Sequence, residues 1–199
     1  MADEALFVCA HGAGGHKDDG AMLRLAAALE PRGFEVVRFN FPYTDKGSKR
    51  IDPMPVLKAC FSENALKRKE EGTPLIIGGR SMGGRVASLL AADGFPCDGL
   101  LLAAYPLHPS GQPEKLRDAH LPALRCPVLC FSGTRDPLCT RDLMKKSLEK
   151  VTAPWTQHWL EGADHSFRVL KSSGRTEGDV DAEIGAAARQ WLEKMTVRP

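Results

Sequence analysis

The sequence is short of several things, and each shortage closes off a class of function. Its apolar runs, such as residues 5–10 and 100–105, hold a handful of residues each. A membrane-spanning helix needs roughly 20, so no membrane role is expected. Acidic Asp3 and Glu4 stand before the first apolar run, the reverse of a secretory leader with its basic opening. Charge is nearly balanced at +2 and no basic stripe is sustained. The single cluster Lys67-Arg68-Lys69 is followed at once by Glu70 and Glu71, which reads as a solvated helix end, so no nucleic-acid partner is expected. The six cysteines (Cys9, Cys60, Cys97, Cys126, Cys130, Cys139) are scattered rather than grouped in ligand or redox motifs. They read as free, mostly buried thiols in a reducing, cytoplasmic setting. His11, His16 and Cys9 match no usual zinc spacing, so no metal site is expected. Repeats, low-complexity tracts and a domain-splitting linker are also missing, which leaves residues 1–199 as one domain.

What remains is an alternation. Short apolar runs at 6–10, 34–39, 75–77, 100–105, 127–132 and 155–160 predict about six strands. Because the runs are continuous rather than alternating, the sheet is expected to be covered on both faces. Between them lie helical patterns: Met22, Leu25, Ala26 and Leu29 after Asp18 and Asp19; residues 56–71, with Leu57, Cys60, Phe61 and Leu66 inward; the stretch after Ser81; residues 142–151; and a closing helix carrying Val180, Ile184, Ala188, Trp191 and Leu192. Residues 44–55 and 171–178 read as polar loops, and 106–126, with four prolines, as irregular chain. Strand and helix in regular succession predict an α/β fold with a mostly parallel sheet, right-handed crossovers, and ligand sites beyond the carboxyl ends of the strands.

Three loops at those ends carry chemistry. Gly79-Arg80-Ser81-Met82-Gly83 is a G-x-S-x-G pentapeptide between a predicted strand and a predicted helix. A serine at such a turn projects above the sheet, and the adjacent helix start favours an oxyanion. A serine hydroxyl needs an imidazole to take its proton, and the imidazole needs a carboxylate to fix its tautomer. His165 and Asp136 each follow a strand, so both belong to the same sheet edge as Ser81. Asp136 in Thr-Arg-Asp-Pro could instead be a turn carboxylate, and Asp164 competes for its role, though its adjacency to His165 makes the bond awkward. The oxyanion donors are expected to be the N–H groups of Met82 and Ala13. Gly12, Arg80 and His108 are candidate substrate contacts, with Arg135 a second possible anion contact; solvation is the plainer account of both arginines. His11 is expected to be structural at its strand end, and His120 and His158 to pack or solvate.

Together, His11-Gly12-Ala13-Gly14, Gly79-Arg80-Ser81-Met82-Gly83-Gly84, Gly133-Thr134-Arg135-Asp136 and Ala163-Asp164-His165-Ser166 resemble the oxyanion loop, nucleophile, acid and base segments of the α/β-hydrolase superfamily, in that order and across nearly the whole chain. Within it the chain resembles the small lidless branch related to dienelactone hydrolase, and more closely the testis-expressed protein 30 group, with which it shares Arg-Ser-Met-Gly and Tyr105-Pro106-Leu107-His108-Pro109. It departs from larger members in lacking their first two strands and any cap, and from dienelactone hydrolase in having Ser81 where that enzyme has cysteine. The resemblance implies a minimal α/β-hydrolase domain that cleaves a small-molecule acyl substrate (ester, thioester or activated amide) without a cofactor. The rival reading is a non-catalytic binding or scaffold protein on the same fold. Substrate identity and oligomeric state are not legible in the sequence.

Overall fold

Apolar runs bounded by turns become strands where both faces can be covered, and four of the six strands are buried from end to end: β1 (Ala5–Ala10), β3 (Leu75–Arg80), β4 (Gly99–Ala103) and β5 (Val128–Gly133). The computed structural model describes residues 4–196. The two remaining strands, β2 (Phe34–Phe39) and β6 (Trp155–Leu160), are partly exposed because they form the edges. The order is β2-β1-β3-β4-β5-β6, and every neighbouring pair is parallel, not merely most of them. The chain begins in the sheet interior, steps outward to β2, then crosses back over β1 to β3. Loops leaving β1 and β3 therefore diverge in opposite directions, and a crevice opens between them at the carboxyl edge.

Side-chain alternation along the strands divides the core in two. Leu75, Ile77, Leu100 and Leu102 face α3 (Met54–Leu66) and α4 (Met82–Ala92), whose Leu57, Phe61, Val86 and Leu90 complete that layer. Phe7, Ile76, Leu101 and Phe131 face α1 (Gly20–Leu29) and α6 (Glu177–Thr196), meeting Met22, Leu25, Ile184 and Trp191. A further helix, α5 (Arg141–Leu148), is capped by the Thr140 hydroxyl, which accepts from the Leu143 N–H.

Local departures from the sequence expectation have physical causes. Helix α3 stops at Leu66, short of residue 71, because the charged run from Lys67 onward has no apolar surface to bury. Its inward stripe is Leu57, Phe61 and Ala65, spaced by four, which leaves Leu66 turned to solvent at 54% exposure. The segment expected to be an open loop starts inside a one-turn helix, α2 (Pro42–Asp45), with proline at its first position where no amide hydrogen is needed. The polar stretch 171–178 likewise contains a 3₁₀ turn at Lys171–Ser173 and the start of α6. Cys97 and Cys126, far apart in sequence, meet with sulfurs 3.7 Å apart at the amino-terminal edge of the sheet.

His120 packs against α4 through a 2.8 Å hydrogen bond between its Nε2 and the Ser88 hydroxyl. Burial, then the charge of Arg85, lowers its pKa from 6.5 to about 4, against the opposing pull of Asp118 and Asp93. Between those values the unfolded chain binds a proton that the folded chain refuses, so stability is full above the unfolded value and declines as pH falls toward the folded one. Because the imidazole is partly exposed, the loss is discounted to about 2 kcal/mol. Thermal unfolding at pH 7.5 and pH 5 should show a smaller acid-induced drop in Tm for His120→Gln than for the wild type.

Candidate active site

The crevice between β1 and β3 is built on close backbone packing. Ser81 caps α4 with φ 47° and ψ −112°, a conformation side chains rarely adopt. Its N–H donates to the Ala103 carbonyl at 2.8 Å, and its own carbonyl accepts from the Arg85 N–H at 3.0 Å, which pins the turn on both sides. Two glycines make that turn possible. A Cβ at Gly79, where φ is +134°, would stand 2.2 Å from the Ala10 carbonyl oxygen, and one at Gly83 would stand 2.1 Å from the same atom. Neither clash can be relieved by a side-chain rotation, because the obstacle is backbone.

Ser81, His165 and Asp136 converge from three loops. Asp136 follows β5, and its side chain is fully buried; Oδ1 accepts from the Leu138 N–H at 2.8 Å, and Oδ2 lies 2.7 Å from His165 Nδ1. A carboxylate only accepts, so the imidazole proton sits on Nδ1. That leaves Nε2 with its lone pair directed at Ser81 Oγ, 3.1 Å away. The hydroxyl proton thus has an acceptor before any substrate arrives. Asp164, the rival acid, is occupied otherwise: its Oδ1 accepts from the N–H groups of Ser166 and Arg168 and shapes the loop that presents His165.

The loop after β1 is held by a network that sequence reading only half anticipated. His11 is fully buried, as a structural histidine should be; Nδ1 donates to the Gly12 carbonyl at 2.8 Å, and Nε2 accepts from the Phe41 N–H at 3.3 Å. Burial holds its pKa below the ordinary imidazole value, so it stays neutral and keeps this donor and acceptor pattern. Tyr43 of α2 adds a hydroxyl that accepts from the Gly14 N–H at 3.2 Å. Among the described residues, the Ala13 and Met82 N–H groups donate to nothing in the protein. Gly12 lies beside the nucleophile, where a Cβ would make ordinary contact at 3.5 Å with Ser81 Cβ.

In front of Ser81 lies an open cleft of about 380 Å³, lined by the candidate contact His108 and by Ala13 and Met82, the expected oxyanion donors, while Gly12 is not among its lining residues. Arg80 does not. Alternation along β3 puts it with Ile76 on the α1 and α6 side of the sheet, where its guanidinium donates to the His165 carbonyl at 2.7 Å and rests over the Phe167 ring at 5.2 Å. It is 9% exposed, and burial pulls its pKa below the ordinary arginine value. Arg135 donates to the Gly162 carbonyl, also outside the cleft. His158 pairs with Glu183 of α6 at 2.8 Å. Residues the sequence did not single out, Arg85, Arg117 and Asp52, do line the cleft.

Comparison with known proteins agrees with this architecture. The alpha/beta hydrolase domain family matches residues 3–193. Among solved structures, the dienelactone hydrolase of Anabaena variabilis superposes with a TM-score of 0.72 at 17% identity, covering 96% of this chain and 86% of that one. Est1E of Butyrivibrio proteoclasticus, determined with ferulic acid bound, gives 0.75 at 14% identity, covering 100% and 92%. A serine hydrolase without lid from Xanthomonas campestris gives 0.69 at 20% identity, covering 96% and 86%. At such identities the likeness is one of fold.

Proposed function

This chain belongs to the alpha/beta hydrolase family, and from that premise we propose that it is a cofactor-independent serine hydrolase cleaving an ester, thioester or activated amide through an acyl-Ser81 intermediate. The observation that carries the reading is the unbroken hydrogen-bond chain from Ser81 Oγ through His165 to the buried Asp136 carboxylate, at 3.1 and 2.7 Å, opening on a cleft. His165 Nε2 takes the hydroxyl proton as Oγ bonds to the acyl carbon. The developing oxyanion accepts from the N–H groups of Ala13 and Met82, each donor worth roughly 3 kcal/mol in such a site. As the tetrahedral species collapses, the bond to the leaving group breaks and Nε2 returns the proton to it. Water then repeats the sequence in reverse roles and frees the acid.

No cap covers the cleft, so small acyl substrates enter directly and binding is shallow. Six free cysteines suit a reducing cytoplasm as the place of action. Rapid mixing with p-nitrophenyl butyrate tests the covalent step: a burst of nitrophenolate equal to the enzyme concentration is expected, and a linear trace without turnover above the buffer rate contradicts the proposal.

Arg80 enters here as a positioning residue, acting on the reaction through the carbonyl of His165. Arg80→Met should lower kcat about 10- to 100-fold with little change in KM, since a displaced imidazole harms proton transfer more than binding. Arg80→Lys should restore part of it, while unfolding temperatures show whether the fold is intact.

A further inference from the structure

Some arginines of the chain are matched by acids and others, Arg80 and Arg135 among them, are not. Arg24 with Glu177 and Asp181, Arg141 with Glu161, and Arg175 with Glu183 all make ion pairs. Arg85 and Arg117 do not, and both line the cleft in front of Ser81. Arg85 sits one turn along α4 from Ser81, on the same helix face, and its Nε is buried with no hydrogen-bond partner among the described residues. Arg117 comes from the chain between β4 and β5, its backbone fixed by a 2.7 Å bond from its N–H to the Leu107 carbonyl and a 2.6 Å bond from the Tyr105 hydroxyl to its own carbonyl. The two charges sense one another: burial first, then Arg85, holds the Arg117 pKa below the ordinary arginine value. On the same wall His108, 3% exposed, spends Nδ1 on the Pro109 carbonyl and leaves Nε2 without a partner.

Arg85 and Arg117 are each half-buried, but the buried Arg85 Nε and His108 Nε2 beside them have no partner, and a folded protein seldom keeps such atoms without an occupant. Apolar packing or a neighbouring acid would have been the cheaper way to fill the wall. Asp52 stands in the same cleft with its own Oδ2 unpartnered, outside ion-pair range of both arginines, so one positive charge remains in excess. Guanidinium presents planar, forked donors that match the oxygens of a carboxylate or phosphate.

The geometry points to Arg85 and Arg117 as a receptor for an anionic oxygen group on the substrate, so that Ser81 acts on esters or thioesters that carry a carboxylate or phosphate beyond the scissile bond. This rests on the serine-hydrolase reading of the same cleft, which the tests below keep separate. It also replaces Arg80 and Arg135 as the anion contacts, since both point elsewhere.

Hydrolysis is compared for the mono-p-nitrophenyl ester of succinic acid and for p-nitrophenyl butyrate, similar in length and differing in charge. The wild type should favour the anionic ester in kcat/KM by about tenfold or more, as charge-assisted bonds imply. Arg85→Gln and Arg117→Gln should each cut that ratio by about tenfold, Arg85→Lys by less, and Asp52→Asn should raise it, with thermal unfolding as the check on folding. Calorimetry on Ser81→Ala, which needs no catalysis, reads the receptor alone with succinate and with inorganic phosphate. Succinate binding that Arg117→Gln abolishes supports a carboxylate receptor, and phosphate binding with the same dependence supports a phosphate one. Covalent labelling at Ser81 together with no anion preference and no binding of either probe overturns the receptor and leaves the hydrolase standing. Binding without any labelling or turnover overturns the hydrolase reading, and the substrate assignment with it.

Discussion

Ser81→Ala should lower turnover of any ester the wild type hydrolyses by about 10⁶-fold, because no other group on the cleft wall is both nucleophilic and placed beside His165. What activity remains would come from binding and the two backbone donors, which the substitution leaves in place. The same position offers a second readout. Ser81 holds φ at 47°, a strain of order 1–3 kcal/mol that alanine retains and glycine relieves. Ser81→Gly should therefore be as inactive as Ser81→Ala yet unfold at a higher temperature, where the gain from relief exceeds the extra chain entropy glycine brings. Steady-state kinetics and thermal unfolding of the three proteins check both halves.

Asp136→Asn should cost about 10⁴-fold in kcat, and the structure says why the amide cannot substitute. The Leu138 N–H donates to Asp136 Oδ1, so an asparagine there keeps its carbonyl oxygen toward Leu138 and turns its NH₂ group to His165. An NH₂ facing Nδ1 forces the imidazole proton onto Nε2. The nitrogen that should accept the Ser81 proton then carries one of its own. Folding should be nearly unaffected, since the shape is unchanged, and the loss should lie in kcat rather than KM. Equal losses in Asp164→Asn would contradict the assignment of Asp136.

The turn around Ser81 was legible because steric need writes itself locally: glycine at 79 and 83 follows from the approach of Ala10 backbone, and the strand before and helix after show in short windows. Asp136 and His165 were legible because each lies in the short loop after a strand, β5 and β6, and parallel strands bring such loops to one edge. Arg80 was misplaced for want of a count of two. It shares parity with Ile76 rather than Ile77, and that parity sends it to the α6 side of the sheet. Arg85 and Arg117 lie 32 residues apart in sequence, and only the return of the irregular chain after β4 brings both to one cleft. No local pattern announces such a pair. The Tyr43 hydroxyl beneath Gly14 was hidden for the same reason, since the helix that presents it is a single turn. The end of α3 was misjudged because helix-favouring lysine and glutamate continue past the last residue with a partner to pack against.

The central claim is an activated nucleophile at Ser81, and fluorophosphonate labelling read by intact mass and peptide mapping tests it most directly. The account predicts one adduct per chain, located on Ser81, absent from Ser81→Ala and much slower to form in His165→Ala. Folded wild-type protein that stays unmodified while a known serine hydrolase labels under the same conditions, or that labels at another residue, would contradict it.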